Sequence, residues 1–154
     1  MLFKVILISY GWFEVDFNRS CVLTNSHYLG CDAPGLLLEA LGDLLENKTN
    51  DAWLCWQDEP GAYILNLEKQ GEKLIVRVYG TDKESMELEH SGASLKEHIA
   101  ECIYKAEEDF AESVENILDE FALYENGTGR NRYQEHWGDF PNAAYDRARK
   151  FLQS

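Results

Sequence analysis

The sequence predicts an α+β fold: an antiparallel sheet of five or six strands, with one long acidic amphipathic helix and two shorter helices packed on one face. Three observations carry this expectation. Runs that alternate apolar and polar residues crowd the first half of the chain, joined by hairpin-length turns. The clearest of them form a meander over residues 62–78. A helical apolar repeat then takes over after residue 94 and returns after residue 141.

In chain order, residues 2–9 are dense in Val, Ile and Leu and read as a strand covered on both faces. Residues 12–17 alternate, with Phe13, Val15 and Phe17 on one side and Trp12, Glu14 and Asp16 on the other. Gly11 either separates two strands here or marks a bulge in one. A turn at 18–20 returns the chain through 21–24 as a hairpin arm. A loop over 28–34 ends in a helix start, where Asp32 can cap and Pro34 suits the first turn. Leu37, Leu38, Leu41, Leu44 and Leu45 make the inner face of a helix over about 34–46.

After a polar turn at 47–51, residues 53–57 read as an aromatic strand. The tight turn Asp58-Glu-Pro-Gly61 leads to the meander. Tyr63, Leu65 and Leu67 on its first arm continue as Leu74, Val76 and Val78 on the second. Asn66, Glu68, Lys73 and Arg77 fall on the other face, which reads as solvated. Residues 80–91 are polar, with 86–88 a short edge strand. A loop at 127–132 precedes a last helix over 141–152, with Phe140, Ala144, Ala148, Phe151 and Leu152 inward. Arg147, Arg149 and Lys150 near its C-terminus suit the helix dipole.

The long helix is expected over 94–124. Leu95, Ile99, Ile103, Ala106, Phe110, Val114, Ile117, Phe121 and Tyr124 recur at gaps of three and four. Ser94 and Glu97 read as a capping box, and Asn126-Gly127 as the stop. Such a helix spans roughly 45 Å at about 1.5 Å per residue. Glu97, Glu101, Glu108, Glu112, Glu115 and Asp119 line its opposite face, with Tyr104 among them. That face serves either as a solvated surface or as a docking surface for a cationic partner.

Composition narrows the function. The chain of 154 residues suits one domain with its own core. Its 28 acidic and 14 basic residues leave a net charge of −14, which argues against direct nucleic-acid binding, since such sites cluster Lys and Arg. A basic protein, a cation, or no partner at all are the open options. No stretch reads as a signal peptide or as a membrane span. The four cysteines form no C-x-x-C pair and are expected to be reduced in a cytoplasmic protein, and the three Asn-x-Ser/Thr sequons are expected to be chance.

Cys21-x5-His27-x3-Cys31 places soft ligands near one another, but in wider spacing than a zinc site favours. Asp58 and Glu59 pair carboxylates on a turn beside Trp56 and Tyr63, where an exposed setting gives no means of separating their pKa values. No nucleophile, P-loop or dinucleotide motif is present, so no catalytic residue and no cofactor is expected. Trp12, Trp53 and Trp56 lie on expected strands and Trp137 near the last helix. One of them left exposed beside the acidic helix makes a recognition hot spot.

Three segments carry a resemblance: Ser26-His-Tyr-Leu-Gly-Cys-Asp-Ala-Pro34, Trp56-Gln-Asp-Glu-Pro-Gly-Ala-Tyr63 and Trp137-Gly-Asp-Phe-Pro141. In that order they resemble a group of small uncharacterised bacterial cytoplasmic proteins. In size and acidity the chain also resembles the immunity proteins of contact-dependent growth inhibition and related polymorphic toxin systems. That second resemblance implies a binding protein that neutralises a cognate toxin by covering its active site or substrate groove. A nuclease toxin has a basic groove, which an acidic helix can occupy. On this reading Glu101, Tyr104, Glu108, Glu112, Glu115 and Asp119 are the contact residues, and Asp58 and Glu59, with Asp32, form a second patch. An enzyme with a small-molecule pocket between sheet and helix, and a structural subunit of a homo-oligomer, are the competing classes.

Overall fold

A computed structural model of the chain describes residues 2–9, 11–26, 32–58, 61–84, 87–125 and 137–154. The element order is β1 (Phe3–Ser9), β2 (Trp12–Phe17), β3 (Cys21–Ser26), α1 (Ala33–Leu45), β4 (Asp51–Gln57), β5 (Ala62–Gln70), β6 (Lys73–Thr81), β7 (Ile99–Asp109), α2 (Phe110–Glu125) and α3 (Asn142–Leu152). A 3-10 turn at Ala93–His98 precedes β7.

The α+β class holds, but the strands form two antiparallel sheets rather than one: β1-β2-β3 and β4-β5-β6-β7. The reason lies at β4. Its outer edge is taken by the chain at His90 and Gly92, through Cys55 N–H to His90 O (2.8 Å) and Gly92 N–H to Trp53 O (3.1 Å). β3 therefore has no ladder to join. The hydroxyl of Thr24 donates instead to Asp58 at 2.5 Å and ties the two sheets by side chains. Gly11, at φ 83°, turns β1 into β2, and the bulge of this hairpin sits between Val5 and Leu7. Of the expected edge strand at 86–88, Met86 lies outside the described residues and the other two are not strand: Leu88 is buried in a turn, and Ser91 makes the bridge to Leu54.

The long helix is the main correction. Of this stretch only Phe110–Glu125 is α-helical; Ala93–His98 is a 3-10 turn and Ile99–Asp109 is the fourth strand of the second sheet. The Asp109 carboxylate accepts the Glu112 N–H at 2.8 Å, capping α2 where the strand ends. Ser94 caps nothing; its hydroxyl donates to Glu89 at 2.8 Å. Of the apolar stripe read over 94–124, Phe110, Val114, Ile117 and Phe121 face the core, whereas Ile103 is 47% exposed on the sheet edge.

One core joins the inner faces of both sheets to the helices. Phe3 and Phe13 contact Phe121 with ring centroids 5.8 and 6.2 Å apart, and Phe13 also meets Trp56 at 5.9 Å. Leu37, Leu38, Leu41 and Leu44 of α1 are fully buried there, each contributing roughly 1.5–3 kcal/mol gross. Asp32 caps α1 through the Gly35 N–H at 3.2 Å, as its place before Pro34 suggests. A smaller cluster of Trp53, Cys55, Ile64, Leu88 and Leu95 covers part of the outer face of the second sheet.

That outer face is solvated at Lys73, partly covered at Glu68 and Arg77, and closed at Asn66. Asn66 is buried, donating to Asp51 (2.5 Å) and to the Ala52 carbonyl (3.2 Å) while accepting from Arg77 (3.0 Å). Arg77 also binds Glu68 at 2.6 Å. The Trp53 indole N–H donates to Asp51 at 2.9 Å, and its ring stacks on Tyr79. These groups satisfy one another across neighbouring strands and stiffen the sheet.

Candidate protein-binding surface

β7 runs without a loop into α2, so acidic side chains from a sheet edge and from a helix start form one band. Glu107 and Asp109 are exposed at the end of β7, and Glu108 is half-buried between them. With Glu72 and Lys73 from the β5–β6 turn they line a cleft of about 400 Å³. Four carboxylates meet one ammonium group in it. Lys73 pairs with Glu107 and holds that carboxyl below its usual range, chiefly by its hydrogen bond. Glu72, Glu108 and Asp109 have no ion pair among the described residues.

On α2 the band continues through Glu112, Glu115 and Asp119, all exposed. Their spacing of three and four sets them on one face of the helix. The face ends on Leu123, which is 64% exposed. Asp119 binds Arg149 of α3 at 2.7 Å. Glu112 and Glu115 make no ion pair among the described residues. Glu112 sits in the first turn, where the helix dipole favours a negative charge.

The expected contact residues divide. Glu108, Glu112, Glu115 and Asp119 share the band, although not as one helix face. Tyr104 lies beneath it: its ring packs on Phe17 with centroids 6.3 Å apart, and its hydroxyl accepts from the Asn18 amide at 2.8 Å. Burial pushes its phenol pKa up. Tyr104 thus positions the strand and is not an exposed anchor. Glu101 stands beside Gly80, seven residues along β6 from the Lys73–Asp109 pair, or roughly 23 Å at about 3.3 Å per residue. Asp58 lies at that same far end and is engaged by Thr24. Glu59 lies outside the described residues.

Sequence reasoning passed over Glu72, Glu107, Asp109 and Leu123. A signal for Asp109 was present: Asp109-x-x-Glu112 is a helix-start pattern inside the stretch read as helix interior. The tryptophans give no exposed anchor, since Trp53, Trp56 and Trp137 are buried and Trp12 is half-buried.

Cys21 is a free, buried thiol, whereas His27 and Cys31 lie outside the described residues. Among the described residues no group of three or more His, Cys, Asp and Glu side chains is placed to hold a metal ion, and no helix is long and apolar enough to cross a membrane. Comparison with protein-family models, with curated proteins and with solved structures finds no match for this chain.

Proposed function

We propose that this protein is an immunity-type binding protein that neutralises a basic protein toxin by covering its active site or substrate groove. One observation carries the reading: a band ending on exposed Leu123 in which Glu72, Glu108, Asp109, Glu112 and Glu115 make no ion pair among the described residues, while Lys73 and Arg149 pair only with Glu107 and Asp119. Lysine and arginine side chains of a partner supply those counter-charges. A groove built to hold phosphates presents them in the right density. Leu123 then gives the docked complex an apolar contact that charge alone does not. The net charge of −14 speeds encounter with a basic partner. Screening over about 8 Å at physiological salt makes that encounter salt-sensitive.

The test is a tagged pull-down from the source cells, with the neighbouring reading frames co-expressed and a high-salt wash. The expected result is one basic protein retained at equal stoichiometry. The combined variant Glu108→Lys, Glu112→Lys, Glu115→Lys is expected to slow its association about tenfold or more at low salt, with the gap closing as salt rises. A thermal melt checks that the variant is folded. Recovery of this protein alone, or an unchanged association rate, refutes the proposal.

A further inference from the structure

We infer that the partner docks by adding an extended, basic segment as a fifth strand to the outer edge of β7, over residues 104–109. The inference rests on the binding reading above and specifies its geometry.

The sheet edges are treated unequally. β1 is sealed by α2, whose Asn116 accepts the Phe3 N–H at 2.7 Å and whose Glu120 accepts the Val5 N–H at 3.0 Å. β4 is sealed by the chain at His90 and Gly92. β7, the longest strand at eleven residues, pairs with β6 on one side and with no other strand among the described residues. Its first half is irregular, with register shifts between Val78 and Tyr79 and between Gly80 and Thr81. Bulges of this kind turn an edge away from further pairing. From Tyr104 to Asp109 the pairing is regular, so an added strand has an undistorted template there.

Charge selects the occupant. Lys105, Glu107 and Asp109 alternate on one face of this run, and the carboxylate-lined cleft with Glu72 closes its end. A strand laid beside it carries every second side chain over that face. Lysine or arginine opposite Asp109 forms a favourable cross-strand pair, and opposite Glu107 it shares a carboxylate that Lys73 already binds, while Lys105 disfavours a further cation at its own level and so sets the register. A second copy of this chain is a poor occupant, because it brings a net charge of −14 against the same charge and offers one cation on this run, Lys105, to the three acids Glu107, Glu108 and Asp109.

The experiment is amide hydrogen exchange on the full chain, alone and with a short synthetic peptide of alternating Lys and Val. A peptide of alternating Glu and Val serves as control. The expected result is roughly tenfold slower exchange of alternate amides within 104–109 at about 90% occupancy, with the Lys peptide only. Variants Lys105→Pro and Ala106→Pro support the reading. One of these neighbouring N–H groups points away from β6, and that variant is expected to keep the parent melting temperature and lose the protection. Unchanged exchange in β7, protection confined to α2, or equal protection by the Glu peptide overturns the edge geometry. None of those outcomes touches the pull-down, so a retained basic partner with an unprotected β7 leaves the binding reading standing and removes this one.

Discussion

Replacing Arg147 by Met removes the cation that holds α3 against α1. Its guanidinium binds Glu39 at 3.0 Å, Asp43 at 2.6 Å and also Glu46. These three acids stand four and then three residues apart on α1 and its C-cap, so they share a face and repel one another once the cation is gone. Their exposure decides the magnitude. The Glu39 carboxylate is 58% exposed and Asp43 43%, so each pair contributes about 0–1 kcal/mol. Glu46 is only 17% exposed, and a charged hydrogen bond there contributes about 1.5–3 kcal/mol. Arg147→Met is therefore expected to cost about 2–4 kcal/mol, lowering the melting temperature by roughly 4–16 °C for a chain of this size. The stem of Met keeps the apolar contact, which isolates the charge. In the background Glu39→Gln, Asp43→Asn, Glu46→Gln the same change is expected to cost about 1 kcal/mol or less, since no carboxylate is left stranded. Urea unfolding followed by tryptophan fluorescence measures both. A loss within about 0.5 kcal/mol of zero in the parent, or an equal loss in both backgrounds, refutes the clamp. A Cβ at Gly42 stands 2.9 Å from an Arg147 nitrogen, so Gly42→Ala displaces the guanidinium and is expected to weaken the clamp, which offsets part of its gain in helix propensity.

Asp109→Ala is expected to cost about 1 kcal/mol, because the Glu112 N–H loses its cap; Asp109→Asn keeps the acceptor and is expected to cost less. Ser113→Ala is expected to raise stability by about 1 kcal/mol, since its buried hydroxyl has no partner among the described residues and Ala favours helix; an unchanged or lower melting temperature refutes this. Glu68 titrates below the usual carboxylate range, through hydrogen bonds from Gln70 first and Arg77 second. A depressed folded pKa stabilises above the unfolded value and is lost as pH falls through the folded one, so the gap between parent and Glu68→Gln is expected at neutral pH and to close in acid, as pH-dependent melts will show. Cys102 is exposed while Cys21 and Cys55 are buried, and burial raises the Cys21 pKa further. In the native protein Cys102 is therefore expected to be alkylated quickly, and Cys21 and Cys55 only after unfolding, as peptide mapping will show.

Much of the fold was legible where local signals and tertiary demands agreed. The two arms of the meander share the apolar face expected from their alternation, and there Leu65 lies opposite Val78 and Leu67 opposite Val76. α1 and α3 begin and end within a residue of their apolar patterns. Residues 99–109 are where the levels conflict. Ile99, Ile103, Ala106 and Phe110 satisfy a helical repeat, while Tyr104, Ala106 and Glu108 satisfy a strand facing Val78, Val76 and Leu74. The edge of β6 decided between them, because its backbone groups needed a partner that a helix does not provide. The candidate site suffered from the same conflict. Its acidic residues were visible in the sequence, but a strand ending at Asp109 splits them, taking Glu101 to the far end and drawing Glu72 and Glu107 in. Asn66 and Arg77 were misread for a related reason: alternation marks the face a polar residue occupies, not whether its neighbours bury and satisfy it.

The sealing of β1 by α2 has a consequence for how the chain is made. Asn116 and Glu120 close the edge at Phe3 and Val5 from 113 and 115 residues downstream. At about 5–20 residues per second, the ribosome needs roughly 6–23 s to deliver Asn116 after Phe3. The N-terminal hairpin sheet therefore emerges with its outer ladder bare and its phenylalanines uncovered, and it waits in that condition until α2 is synthesised. A slow nascent chain is at risk there, which makes the first strand the point where a chaperone has most to protect.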